Sequence, residues 1–179
     1  MLSRIADTLY WMSRYLERAD NTARMLQINL QYLIEAEDAL PAEAQWRPLL
    51  NITGGEEPYA ECYESEEITA HKVIQFMTQG RTNANSIRSS LRTARENARV
   101  VRDRISKEMW EAMNELWLNV DARLKTPVIP ERAAAFYSSV RSEVARFHGV
   151  TLNTMMRAGV QLLHAGHVPG ARGYDRSHH

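Results

Sequence analysis

The chain has 179 residues, 44% of them apolar and 25% charged, which is enough for one domain with a buried core and too apolar for a disordered chain. Basic and acidic side chains balance at 22 each, so net charge makes no case for nucleic-acid or membrane-surface binding. A single cysteine excludes an internal disulfide, and no apolar run approaches the roughly 18 residues of a membrane span, so with Asp7 where a leader would be apolar, a cytoplasmic protein is expected.

From Leu2 to about residue 37, Ile5, Leu9, Met12, Leu16, Ala19, Ala23, Leu26, Leu30 and Leu33 recur at alternating steps of four and three, the seam of one long helix. Ala19 and Ala23 narrow that seam, so a neighbouring helix can approach closely. Beside it lies a dense polar set. Arg14, Glu17, Asn21 and Arg24 follow one another by a helical turn, and Arg18 flanks the seam opposite Glu17. Two arrangements are open for Glu17 and Arg18: surface ion pairs, or a partly buried network that requires partners on other helices.

Between Glu35 and Glu67 there are ten acids and one base, Arg47, whereas Arg81 to Ile105 holds seven arginines against Glu96 and Asp103. The two regions are complementary in sign. A shorter helix interrupted by Pro48 is expected near 40–51, stopped by Gly54 as a left-handed cap. Gly-Gly-Glu-Glu-Pro reads as a loop, and Ser65-Glu66-Glu67 as the cap of a helix through Val73 and Phe76 that Gly80 ends. Cys62, among Glu57, Glu61 and Glu64, lacks a thiolate-stabilising neighbourhood and is expected to be a buried or half-buried structural thiol.

The second long helix is expected over about 83–105, with Ile87, Leu91, Ala94, Ala98, Val101 and Ile105 as its seam. Directly beside that seam, Arg88, Arg92, Arg95, Arg99 and Arg102 form one stripe. Five guanidinium groups in a row repel unless carboxylates or a ligand answer them. The acids of 35–67 are the expected counter-charges; an anion or an acidic peptide is the alternative, since arginine forks suit carboxylate and phosphate. RNA is not expected, because no groove of interleaved basic and aromatic residues is apparent. The chain bends near Ser106 into a helix of about 107–125, and a last helix of about 130–158 begins at Pro130, a tolerated first-turn position. The four tryptophans read as core or helix-contact residues and His148 as structural.

The expected architecture is therefore all-α, a bundle of long antiparallel helices over about 2–37, 83–105, 107–125 and 130–158 with shorter helices between. Residues 159–179 read as an irregular tail. The 19 arginines against 3 lysines point to a GC-rich genome. Written in such codons and read one nucleotide later, the stretch from Ala165 to Arg176 gives Leu-Gly-Thr-Tyr-Leu-Glu-Arg-Ala-Asp-Met-Thr, close to the YLERADNT of the first helix. This reading makes the tail an out-of-frame copy of that motif and the chain truncated.

Three segments, MLSRIADTLYWMSRYLERADNTAR, ARENARVVRDRISKEMWEAMN and FHGVTLNTMMR, together resemble the Alpha-E superfamily, a bacterial α-helical domain with an ER motif, over about residues 1–158. The turn TNANSI departs from the Asn-Pro-x-Ser-Ile form of the family. The resemblance implies an all-α fold, an ER pair at Glu17 and Arg18, and a second half with a further ER motif. It also implies a setting beside ATP-grasp ligase-like and transglutaminase-like proteins, hence peptide or amide-bond modification.

The residues themselves hold no nucleophile triad, no HExxH, no paired Glu-x-x-His and no glycine-rich nucleotide loop, so neither a metal nor another cofactor is expected. The first expectation is an accessory or partner subunit without catalysis of its own. The alternative is a catalytic helical domain, with Glu17 as acid/base and Arg18, Asn21, Arg95 and Arg99 holding an anionic, peptide-like substrate. The wider set of candidate substrate- or partner-binding residues is Arg14, Asn21, Arg24, Arg88, Arg92, Arg95, Asn97, Arg99 and Arg102. A third expectation is a truncated fragment without function.

Overall fold

The three-four stepping of the first segment winds it into α1, Leu2–Glu35, and the structure buries Met12, Leu16, Ala19, Ala23, Leu26 and Leu30 along one stripe of it. The computed structural model describes residues 2–35, 41–63 and 67–166, and within these lie seven α-helices and no strand. Four long helices make the bundle: α1, α5 (Ile87–Val100), α6 (Lys107–Arg123) and α7 (Pro130–Gly166). Each packs on the next, with α1 seated between α5 and α7. Cross-helix pairs fix the directions. Gln27 of α1 donates to Ser138 of α7 at 2.9 Å while Asp20 meets Arg141 at 3.5 Å; Arg88 of α5 meets Asp121 of α6 at 2.7 Å while Arg95 meets Asn114 at 2.9 Å. Glu115 and Asn119 of α6 likewise reach Arg146 and Glu143 of α7. The bundle is thus up-down-up-down, with α1 antiparallel to both neighbours.

Three short helices, α2 (Ala42–Ile52), α3 (Glu56–Tyr63) and α4 (Ala70–Gln79), cover the end where α1 stops and α5 starts. Their core is Trp46, Leu50, Tyr59, Val73, Ile74, Phe76 and Met77, with Tyr59 edge-on to Phe76 at 5.4 Å. Gln75 of α4 donates to the carbonyl of Val128, and the Thr78 hydroxyl meets that of Tyr137 in α7 at 2.9 Å, both buried. These two polar pegs lock the covering helices to the bundle.

Local chemistry sets the ends. Gly54, at φ 64°, closes α2 as expected: its N–H reaches Asn51 O at 3.1 Å and that of Gly55 reaches Leu50 O at 2.7 Å, the two bonds of a Schellman turn. Ser86 and Ser106 cap α5 and α6 through the N–H groups of Ser89 and Met109. Gly80 ends α4, and a Cβ there would collide with the carbonyl of Phe76.

Several boundaries differ from expectation. Pro48 lies inside a single continuous α2 on its exposed face, where water can take the carbonyl that loses its partner. Glu56-Glu57-Pro58, read as loop, is the first turn of α3; proline costs little where no intrahelical N–H bond exists, and the acids complement the dipole. Helix α4 begins at Ala70, because Thr69 accepts from Lys72 N at 3.3 Å, and the residues at 64–66 lie outside those described. Helix α5 stops at Val100 and not near 105, since Val101 is buried and its carbonyl turns the chain by accepting from Arg104 and Ile105. Helix α7 continues to Gly166, so residues 159–166 are not irregular: single glycines cost about 1 kcal/mol in a helix interior, too little to stop so long a helix. The residues after 166, which hold most of the out-of-frame reading, lie outside those described.

Cys62 is exposed, not buried, because α3 turns Tyr59 inward and leaves Cys62 to solvent. Trp46 is core, and Trp110 and Trp117 pack half-buried against it, but Trp11 is largely exposed beside Tyr10 and Tyr15.

The buried tyrosines make stability sensitive to alkali. Burial raises the phenol of Tyr59 from 10.0 to about 12, and it raises those of Tyr63 and Tyr137 as well. Each is held neutral in the folded chain, so its contribution is complete below the unfolded value near 10 and is lost as pH rises from there through the folded value. Circular dichroism across this range is expected to show a steep loss of stability above pH 10. Tyr137→Phe is expected to flatten that dependence while costing about 1–3 kcal/mol at neutral pH, because Thr78 is left buried without its partner.

Candidate functional site

With Leu16, Ala19 and Ala23 filling the interface to α5, the flank of α1 opens outward, and there Arg14, Glu17, Arg18, Asn21, Thr22 and Met25 form one wall of a cleft of about 290 Å³. Ile52 and Thr53 at the end of α2, and Asn85 in the turn before α5, form the other. That turn is built by asparagines: Asn83 accepts from Asn85 N at 2.9 Å, and Asn85 Nδ2 donates to Thr53 O at 3.0 Å, tying the two minor walls together. Buried Thr22 lies at the floor.

Within the cleft the charges are unequal. Glu17 is exposed and bonds Arg14 at 2.7 Å across one turn, a surface pair worth roughly 0.2–0.5 kcal/mol. The buried network conceived for Glu17 does not form, because the seam beside it is closed by apolar side chains alone. Arg18 is half-buried, its guanidinium stacked 5.1 Å from the centre of the Tyr15 ring, with no carboxylate partner among the described residues. Asn21 is exposed, and its side chain has no hydrogen-bond partner among the described residues. Arg24 points elsewhere: it bonds Asp20 at 3.0 Å, and Asp20 in turn meets Arg141 of α7.

The arginine stripe of α5 faces α6. Arg88 is held by Asp121; Arg95 bonds Asn114 and Glu96 and lies over Trp110; Arg99 bonds Glu96 at 2.8 Å; Arg102 stacks 5.0 Å from Trp110. The acids of 35–67 are not the counter-charges among the described residues, for Glu43 and Glu56 take Arg47 and Glu67 takes Lys72. Arg92 has no acidic partner there. None of the stripe lines the cleft at Glu17 and Arg18, so the two candidate groups do not converge.

Asn97 belongs to neither. With Thr93 it meets Arg4, Asp7, Thr8, Trp11 and Tyr15 in a shallow groove between α1 and α5. Tyr15 lies in this groove, and Arg18, stacked on it, lines the cleft. Met25, Ile52, Thr53, Asn85, Trp11 and Tyr15 were not foreseen as site residues. The aromatic pair was legible as a flank of α1, whereas the approach of Thr53 and Asn85 depends on long-range packing.

The cleft can hold an anion and donate hydrogen bonds to it. Its lining offers one carboxylate, Glu17, and two threonine hydroxyls, Thr22 and Thr53, with no histidine, cysteine or serine. Among the described residues no group of three or more His, Cys, Asp or Glu side chains could hold a metal ion, and no helix is long and apolar enough to cross a membrane.

No curated protein and no solved structure matches the chain. A family model does: Alpha-E, a predicted alpha-helical domain with a conserved ER motif, matches residues 1–168, past the point near 158 where the visible resemblance stopped. With seven helices, no strand among the described residues and a match over nearly its whole length, the chain belongs to the Alpha-E family.

Proposed function

We propose that the protein is a non-catalytic helical partner subunit, which holds a carboxylate-bearing peptide segment in the cleft beside Glu17 and Arg18. In this reading it serves a bacterial peptide or amide-bond modification system with ATP-grasp ligase-like and transglutaminase-like proteins, the setting that the family resemblance implies. The observation that supports it is Arg18: a half-buried arginine, stacked on the Tyr15 ring, with no acid among the described residues to answer it and with Asn21 beside it. An arginine held this way loses little freedom on binding and presents its fork to a carboxylate. Glu17, bonded to Arg14, helps hold that arginine at the rim.

The test is capture of the ATP-grasp-like partner by the purified protein, compared for wild type, Arg18→Ala and Glu17→Ala. Loss of a charge-assisted bond is expected to weaken binding by Arg18→Ala about ten- to a hundredfold, with the melting temperature nearly unchanged because neither side chain is in the core. Intact capture accompanied by loss of modified product in Glu17→Ala would instead favour a catalytic helical domain.

A further inference from the structure

On another face of α5, Arg81 from the turn before the helix and Arg88 and Arg92 from its first two turns line a small cleft of about 170 Å³, closed on one side by the half-buried ring of Trp117 in α6. Arg88 is oriented by Asp121, whose single short contact, 2.7 Å to one terminal nitrogen, leaves most of the guanidinium donors free. Arg81 and Arg92 have no carboxylate partner among the described residues: Glu96 and Asp103 are spent on Arg99 and Arg104, and Glu115 on Arg146 of α7. Three guanidinium groups against one carboxylate leave about two positive charges at a place where like charges repel and where the Trp117 ring keeps water from one wall. A carboxylate needs one such fork. Forks brought together from a turn and a helix suit an oxyanion with acceptors pointing several ways and a double charge.

We infer that this cleft binds a phosphate group in its dianionic form, and that Arg81, Arg88 and Arg92 are its ligands. The site is separate from the cleft at Glu17 and Arg18. Inorganic phosphate and the phosphate monoester of a side chain present the same chemistry, and calorimetry at low ionic strength with inorganic phosphate and with O-phosphoserine distinguishes them as sources. Saturable binding is expected for at least one of the two. Tighter binding of O-phosphoserine assigns the site to a monoester, and equal binding assigns it to free phosphate. Arg92→Ala and Arg81→Ala are each expected to weaken binding about tenfold or more, with Arg92→Lys intermediate, because a point charge replaces the fork. Binding of O-phosphoserine should strengthen as pH rises from about 5 to 7, when its second proton leaves near pH 6. Arg18→Ala should leave phosphate binding unchanged, so failure here and failure of the partner reading are separable. Both Arg81 and Arg92 are exposed, and unchanged melting of the variants verifies the fold. Absence of saturable binding to either compound, equal binding by glutamate, or binding indifferent to Arg81→Ala and Arg92→Ala would overturn the inference.

Discussion

Trp46→Ala is expected to destabilise the protein by about 3–5 kcal/mol, lowering the melting temperature by roughly 6–20 °C for a chain of this size. Trp46 is fully buried at the centre of the covering helices, and nothing of similar size stands ready to fill its volume. The effect reaches the cleft. Helix α2 carries Trp46 inward and ends in Ile52 and Thr53, the wall opposite Arg18, so a loosened α2 widens the site and weakens capture of the partner too. Trp46→Phe is expected to cost less, because it keeps a ring and removes an indole N–H that is buried without a hydrogen bond. Thermal unfolding followed by circular dichroism measures both, and a shift under 2 °C for the alanine variant would contradict this placement of α2.

Leu16→Ala should cost about 2–5 kcal/mol, whereas Glu17→Ala, one position along, should stay within about 0.5 kcal/mol. Leu16 has no exposed surface and belongs to the core; Glu17 has a surface partner and solvent. Parallel denaturant titrations of the two variants compare seam and flank directly. A large loss for Glu17→Ala would mean that its pair with Arg14 supports the fold and not only the cleft.

These two neighbours also show what could be read from residue order. Alternating steps of three and four identify a buried seam because an α-helix returns to the same side at that interval, and every described seam residue from Met12 to Leu30 is buried accordingly. Caps that act within a turn, such as Gly54 and Gly80, were legible because their signal is local. Periodicity does not say which helix lies against which flank. That is why the arginine stripe, Glu17 and Arg18 could be seen as candidates while their divergence could not. Glu43, Glu56 and Glu67 went to Arg47 and Lys72, close along the chain, because nearby pairs form without closing a long loop. Helix α3 was hidden by Gly54 and Gly55 just before it and by Pro58 in its first turn, residues that mark a turn equally well when a helix starts there.

The position of α1 between α5 and α7 has a consequence for synthesis. Helices α5, α6 and α7 follow one another through six-residue connections and can pair as they emerge, but α1, which the short helices meet only at its end, has no partner for most of its length until α5 appears and no complete groove until much of α7 is made. From Glu35 to Val144, at about 5–20 residues per second, that helix waits roughly 5–20 s with its apolar stripe uncovered. Glu17, Arg18, Asn21 and Arg24, all outside the stripe, give the waiting segment a hydrated side. The charges beside the seam thus leave the emerging helix amphipathic, with one face for water, before its groove exists.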